Sequence, residues 1–82
     1  MPTFQQLQQR LALVMLERVR QGELTERGIA RITGLSQPHI HNVLKGKRLL
    51  SAAASDAVLY GLKLDILDLV ERRELLEWQQ RP

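Results

Sequence analysis

The segment from Thr33 to Pro38 constrains the fold of this chain most strongly, because a helix stop lies directly before a helix start. Gly34 can take the left-handed conformation that a tight turn between helices requires. Ser36 is a preferred N-cap residue, and Pro38 fits the first turn of a helix, where its missing N–H costs no hydrogen bond. The segment therefore predicts two short helices joined by a three-residue turn, a helix-turn-helix that spans residues 25–45.

The rest of the chain also carries helical patterns. Thr3 and Gln6 have capping-box spacing before a periodic run of apolar residues, and Ser51 precedes an alanine-rich stretch. Asp65 and Asp68 predict the start of a last helix. No segment alternates between apolar and polar residues as a strand does, so we expect an all-α, compact five-helix bundle. The predicted helices lie at about residues 4–21, 25–32, 36–45, 51–61 and 65–79.

The chain is too short for two domains. Its 82 residues are expected to form a single domain, 1–82, since either half alone would bury too small a core. Aromatic residues make up only 4% of the chain, which leaves the core to Leu, Ile, Val and Ala. Because the chain has no cysteine, disulfides and thiolate metal ligands are excluded. There is no signal-peptide pattern and no apolar run of about 18 residues, so the expected location is the cytoplasm, without membrane association.

Basic residues are concentrated in the first part of the chain. Residues 1–50 contain eight Lys or Arg and three Glu, whereas residues 51–82 contain four basic and six acidic residues. A basic front and a mildly acidic rear favour a polyanion as the partner of the first part, and a protein or solvent beside the second.

The second short helix has one apolar side and one hydrogen-bonding side. Ile40, Val43 and Leu44 fall together on a 3.6-residue period and are expected to pack on the domain. Amide side chains can bond bidentately to adenine in the major groove of DNA, and basic side chains neutralise phosphates. The sequence therefore predicts that this helix reads duplex DNA, with a weak anion site at Ser36. The side chains away from the apolar side, with the basic loop that follows, are Gln37, Pro38, His39, His41, Asn42, Lys45, Lys47 and Arg48.

Residues 25–48 resemble the phage-repressor-like (Cro/Xre) helix-turn-helix pattern. The matching positions are Ala30, Gly34, Ser36, Ile40, Val43 and Gly46, and residues 51–69 resemble the fourth and fifth helices of that family. The resemblance implies a lambda-repressor-like DNA-binding domain over nearly the whole chain. It also implies a transcriptional regulator, in particular a repressor, that binds a palindromic operator as a homodimer. A shorter similarity to the LacI-type headpiece covers residues 34–47, but that type begins directly at the motif, whereas a long helix precedes the motif here.

The resemblance also implies roles for individual residues. The implied base-reading residues are Gln37, Pro38, His39, His41 and Asn42. The implied phosphate contacts are Thr25, Arg27, Ser36, Lys45, Lys47 and Arg48. Two positions depart from the family. Glu26 stands where the family often has a glutamine that bonds phosphate, so a carboxylate is expected to repel phosphate there, with Arg27 as a substitute contact. Gly28 weakens the same helix by up to about 1 kcal/mol relative to Ala.

The C-terminal part carries more apolar residues than one side of a helix needs. Leu62, Ile66, Leu69 and Leu76 have heptad-like spacing that extends through the predicted helix at about residues 65–79. Part of this surface is expected to close the core and the remainder to form a two-fold dimer interface, which would place two reading helices roughly 34 Å apart. The predicted interface residues are Leu69, Leu76 and Trp78, and the alternative for Trp78 is that it caps the core of the monomer.

Other functions are compatible with the same fold. An antitoxin of a toxin–antitoxin pair would use the same DNA face and present another surface to a toxin. A protein-interaction module would keep the fold without binding DNA, and Glu26 favours that alternative. Metal binding is not expected, because His39 and His41 would point about 200° apart on a helix and no third ligand is in view. No converging set of titratable groups indicates an enzyme, so no catalytic residue and no cofactor is predicted.

Overall fold

The structure, a computed structural model, describes residues 2–80 of the chain. These residues form five α-helices, one short 3-10 helix and the loops that join them. No strand occurs within these residues, so the expected all-α class and the expected number of α-helices are confirmed for them, while the last helix has other bounds. Residues 1, 81 and 82 of the expected domain lie outside the described part. None of the described helices is long and apolar enough to cross a membrane. In chain order the elements are α1 (Phe4–Arg20), α2 (Glu26–Thr33), α3 (Gln37–Leu44), α4 (Ala52–Gly61), the 3-10 helix (Ile66–Leu69) and α5 (Arg72–Gln79).

Each of the first four helices begins directly after a Ser or Thr residue whose side chain caps it. The hydroxyl oxygens of Thr25 and Ser36 accept hydrogen bonds from backbone N–H groups three residues on, at 3.0 and 3.3 Å. Thr3 and Ser51 do the same for α1 and α4, at 3.1 Å each. These bonds satisfy N–H groups that the first turn of a helix leaves without a partner. Local side-chain chemistry therefore fixes where these four helices start.

Gly34 ends α2 and begins the three-residue connection, residues 34–36, to α3. Its φ is +73°, in the left-handed region, and its N–H donates to the carbonyl of Ala30 at 2.8 Å. A residue with a Cβ is strained in this conformation, whereas glycine adopts it freely. The turn lets α3 start immediately after α2, so the two short helices pack against each other.

The predicted final helix at about residues 65–79 is wrong, because the chain breaks in its middle. Asp65 and Asp68 cap only the single turn of the 3-10 helix. Val70, which follows the 3-10 helix, is extended with φ −102° and ψ 129°. The Glu74 carboxylate then accepts from the N–H of Glu71, the N-cap of α5, at 2.9 Å. Leu69 and Val70 are both buried, and an extended residue at the junction allows two consecutive side chains to reach the core. Tertiary packing, not helix propensity, sets this boundary.

The core consists of aliphatic side chains and one methionine from α1 to α4, from the 3-10 helix and from the segments directly before and after α4. Ile40 and Val43 of α3 are 0% and 1% exposed, as their helical period predicts. Phe4, Tyr60 and Trp78 are all exposed, so the core is built without aromatic rings. The clustered residues are Leu11, Met15, Ile29, Ile40, Val43, Leu50, Ala54, Val58, Leu62 and Leu69. Burial of one side of α3 leaves its polar side directed to solvent.

An ion pair attaches α5 to α1. The Arg10 guanidinium donates to the two carboxylate oxygens of Glu74 at 2.6 and 2.9 Å, and it also donates to the carbonyl of Leu69 at 2.9 Å. The hydrogen bond from Arg10 is the main reason why the pKa of Glu74 falls to about 2. None of the residues of α5 is buried. The helix therefore lies on the surface of the bundle, held by a bidentate contact.

The three residues predicted to form a dimer interface do not share one exposed surface. Leu69 is 7% exposed and belongs to the core of the monomer, which corrects the prediction for that residue. Leu76 and Trp78 are 48% and 55% exposed. They are two residues apart on α5, so their side chains leave the helix about 200° apart. The heptad-like spacing would place these positions on one side only in a continuous helix. The extended Val70 breaks the helix between Leu69 and α5.

Candidate nucleic-acid interface

The outer side of α3 presents the side chains on which the DNA interpretation depends. Gln37, Pro38 and His41 are exposed, and Asn42 is partly exposed. The opposite side of the helix is anchored by Ile40 and Val43, so α3 cannot turn these polar groups inward without losing buried apolar contacts. Both amide side chains are therefore accessible to a ligand in solvent.

A shallow cleft of about 340 Å³ lies between the start of α2 and the outer side of α3. Glu26 supplies one side of the cleft, and α3 supplies the other through Gln37, Pro38, His41 and Asn42. Four of the five lining residues carry hydrogen-bonding groups. The cleft therefore places the acidic Glu26 beside four of the predicted base-reading residues.

Glu26 contacts two of the predicted base-reading side chains through different carboxylate oxygens. Its Oε2 lies 2.9 Å from Nδ1 of His41, and its Oε1 lies 3.5 Å from Nε2 of Gln37. The hydrogen bond with His41 is the main cause of the lowered pKa of Glu26, and the contact with Gln37 and the charge of Lys45 act in the same direction. Glu26 therefore stays ionised at neutral pH, beside two donors.

The amide of Gln37 also contacts Arg27. Consecutive polar contacts therefore link four side chains, in the order Arg27, Gln37, Glu26 and His41. Nε of Arg27 donates to Oε1 of Gln37 at 3.3 Å. Sequence reasoning missed this set because it compared Glu26 with a family position and did not ask what faces it. A signal was present: positions 37 and 41 are one turn apart on α3 and share a side of the helix. We call Arg27, Glu26, Gln37 and His41 the polar chain.

The predicted phosphate contacts lie around the ends of α2 and α3. Lys45, Lys47 and Arg48 are exposed directly after α3, and within the described part of the chain none of them forms an ion pair. The hydroxyl groups of Thr25 and Ser36 are exposed but already accept from the backbone as N-caps. The structure thus brings a basic loop to one end of the polar side of α3.

His39 differs from the other predicted base-reading residues. It is only partly exposed, and its Nε2 is buried without a hydrogen-bond partner among the described residues. A ring nitrogen in this position cannot contact a base unless the side chain rotates. Nε2 of His39 therefore points away from solvent in this structure, and the assignment of His39 as a base reader stays a prediction.

Comparison with known proteins gives no match: no family model matches the sequence, and no curated protein or solved structure is significantly similar to the chain. The resemblance of residues 25–48 to the Cro/Xre pattern therefore stays a prediction.

Proposed function

We propose that this protein is a transcriptional regulator, acting as a repressor, that binds double-stranded DNA sequence-specifically by placing α3 in the major groove. The observation that carries the proposal is the exposed polar side of α3, with Gln37 and Asn42, next to a basic loop. In the proposal α2, the turn at Gly34 and α3 act as a helix-turn-helix of the Cro/Xre kind. Such a regulator would act at the nucleoid in the cytoplasm.

The groups on this surface divide into those suited to bases and those suited to phosphates. Gln37 and Asn42 have the donor and acceptor pair that adenine presents at N7 and N6. Pro38 offers an apolar contact for a thymine methyl group. Lys47 and Arg48, like Lys45, carry positive charge without sequence information, so they would fix the position of α3 on the DNA backbone.

A dimer on a palindromic operator is part of the proposal. Two copies related by a two-fold axis would place their α3 helices one DNA turn, roughly 34 Å, apart. The described chain has exposed apolar side chains on α5, where Leu76 and Trp78 lie on different sides of the helix. In a two-fold dimer, the side of α5 that carries either residue would contact the same side of a second copy.

The experiment that tests the proposal measures binding to a random-sequence duplex over a range of salt concentrations. Each phosphate contact made by a basic residue contributes about 0.9 to the slope of log K against log salt concentration. Lys47→Ala and Arg48→Ala should therefore each lower the slope by about 0.9 and weaken binding to all sequences alike. Arg72→Ala is the control, because it removes one exposed positive charge from α5 and leaves the basic loop intact. Equal slopes for all four proteins would contradict the assignment of the loop.

Selection from a random duplex pool then tests sequence specificity. A regulator should enrich a defined site, and a two-fold repeat within that site would support the dimer. An enriched site without internal symmetry would support binding by a single copy. Failure to enrich any sequence, despite binding, would remove the regulator assignment.

The second candidate function is a protein-interaction module that does not bind DNA. An antitoxin would instead bind DNA through α3 and a toxin through another surface. The carboxylate of Glu26, which lines the cleft beside α3, favours the first, because a negative charge there opposes a polyanion. The exposed Leu13 and Leu49, which line an apolar groove between α1 and the loop after α3, favour a further protein surface. Absence of DNA binding at low salt would decide for the interaction module.

A further inference from the structure

We propose that Glu26 is a positioning residue that determines sequence specificity, because it holds the side chains of Gln37 and His41 in the orientation in which α3 reads bases. The inference rests on the proposed DNA binding and assigns Glu26 a role different from simple repulsion of phosphate. Its basis is a carboxylate that uses its two oxygens on two side chains of the neighbouring helix.

The first step concerns the direction of the Gln37 amide. Its oxygen lies 3.3 Å from the Arg27 guanidinium and its nitrogen lies 3.5 Å from the Glu26 carboxylate. Both contacts are long, but they agree: the reversed amide would place oxygen beside carboxylate and nitrogen beside guanidinium. The two charges of α2 therefore fix which end of the amide donates and which end accepts.

This direction matters because adenine is read with a defined polarity. The amide oxygen must accept from N6 while the amide nitrogen donates to N7. Gln37 keeps one N–H and one oxygen lone pair after its contacts with Glu26 and Arg27. A Gln37 amide of fixed direction therefore presents one donor and one acceptor in a set order, whereas a freely rotating amide presents both orders.

The second step concerns the His41 ring. An ionised carboxylate only accepts hydrogen bonds, so the hydrogen between the two groups must belong to Nδ1 of His41. The same contact orients the ring, and Nε2 lies on the side of the ring away from Glu26. With a half-exposed side chain, the neutral ring of His41 then offers Nε2 as an acceptor to a donor group on a base edge.

Positioning and repulsion make different predictions for loss of the carboxylate. If Glu26 only repels DNA, its removal raises affinity for every duplex by the same factor and leaves base preferences unchanged. If Glu26 positions Gln37, its removal raises affinity for random duplex but lowers discrimination at the base pair that Gln37 reads. Specificity is a ratio of affinities, so the two effects are separable in one set of measurements.

The experiment begins with selection of a preferred duplex by the wild-type chain from a random pool. Dissociation constants are then measured for that duplex and its single-base-pair variants with wild type, Gln37→Ala, Glu26→Ala and Glu26→Gln. The base pair at which Gln37→Ala loses preference defines the position read by Gln37. Glu77→Gln on exposed α5 is the control for loss of one negative charge, and circular dichroism confirms that each variant is folded.

At the pair read by Gln37, wild type should discriminate by about 5- to 150-fold, the usual range for one specific contact. Glu26→Ala should reduce this ratio to below about 3-fold, while the ratios at pairs read by Asn42 stay unchanged. Glu26→Gln should lie between, because the amide keeps one acceptor oxygen and replaces the other carboxylate oxygen with an NH2 donor. The double variant Glu26→Ala/Gln37→Ala should lose no more at this pair than Gln37→Ala alone.

Unchanged ratios in Glu26→Ala, with a uniform gain in affinity, would overturn the inference and leave the proposed function intact. If Glu26→Ala and Gln37→Ala lost preference at different base pairs, the inference would also fail. If wild-type protein selected no sequence at all, the proposed function would fail, and the role of Glu26 with it.

Discussion

A methyl group added at Gly61 should destabilise the fold, because it would collide with Ile32 of α2. A Cβ at position 61 would lie 2.6 Å from Cγ2 of Ile32, with Cδ1 and Cγ1 of the same side chain at 3.3 and 3.4 Å. Carbon atoms in good contact are about 3.5–4.0 Å apart. Cγ2 is bonded directly to the branched Cβ of isoleucine, so it cannot move without a change of χ1. Either Ile32 must change rotamer or the two helices must separate.

The magnitude follows from two opposing effects. Replacement of glycine by alanine in a helix gains up to about 1 kcal/mol, and less at the last residue of α4. Overpacking of a close contact costs about 1–3 kcal/mol. The net loss in Gly61→Ala should be about 1–2 kcal/mol in the free energy of unfolding. For a domain of this size that corresponds to a fall in Tm of about 4–16 °C.

Urea unfolding monitored by circular dichroism, in two backgrounds, isolates the contact. In Ile32→Ala the clashing methyl groups are absent, so Gly61→Ala should have almost no effect or should stabilise slightly through helix propensity. A neutral or stabilising effect of Gly61→Ala in the wild-type background would refute the reasoning. An equal loss in both backgrounds would show that the cost arises elsewhere than at Ile32.

Two further predictions concern the ends of helices. The pKa of Glu74 is lowered from its ordinary 4.5 to about 2, so the stability that its ion pair with Arg10 contributes is present above pH 4.5 and is lost as the pH falls toward 2. Urea midpoints measured between pH 6 and pH 2 should fall less in Glu74→Gln than in wild type, and parallel curves would contradict the role of the pair. Gly34→Ala should cost roughly 1 kcal/mol because of the left-handed φ of +73°, seen as a lower Tm in calorimetry, and an unchanged Tm would show that the turn adapts.

The first four helices could be predicted from the sequence because their signals are local. Ser36 caps α3 by a bond to a backbone group only three residues away, and the period of Ile40 and Val43 defines the buried side of the same helix. Such features depend on neighbours along the chain. The accessible polar side of α3 follows directly from them.

The parts that could not be predicted depend on contacts between distant residues. The break at Val70 reflects the burial of two consecutive side chains, and no capping signal alone indicates that α5 must restart at Glu71. The contact of Glu26 with His41 depends on how α2 and α3 cross, as does the inward position of Nε2 in His39. Helix propensity and periodicity contain no information about crossing geometry.

The attachment of α5 through surface contacts gives the protein two regions that differ in local stability. Because α5 buries no residue, its backbone N–H groups can exchange hydrogen with solvent through local fraying, once the Arg10 contact opens. The N–H groups around Ile29 and Ile40 can exchange only when the aliphatic centre itself comes apart, so they should be protected by close to the full free energy of unfolding. A single unfolding midpoint will therefore report the stability of the bundle of α1 to α4 and overestimate the local stability of α5.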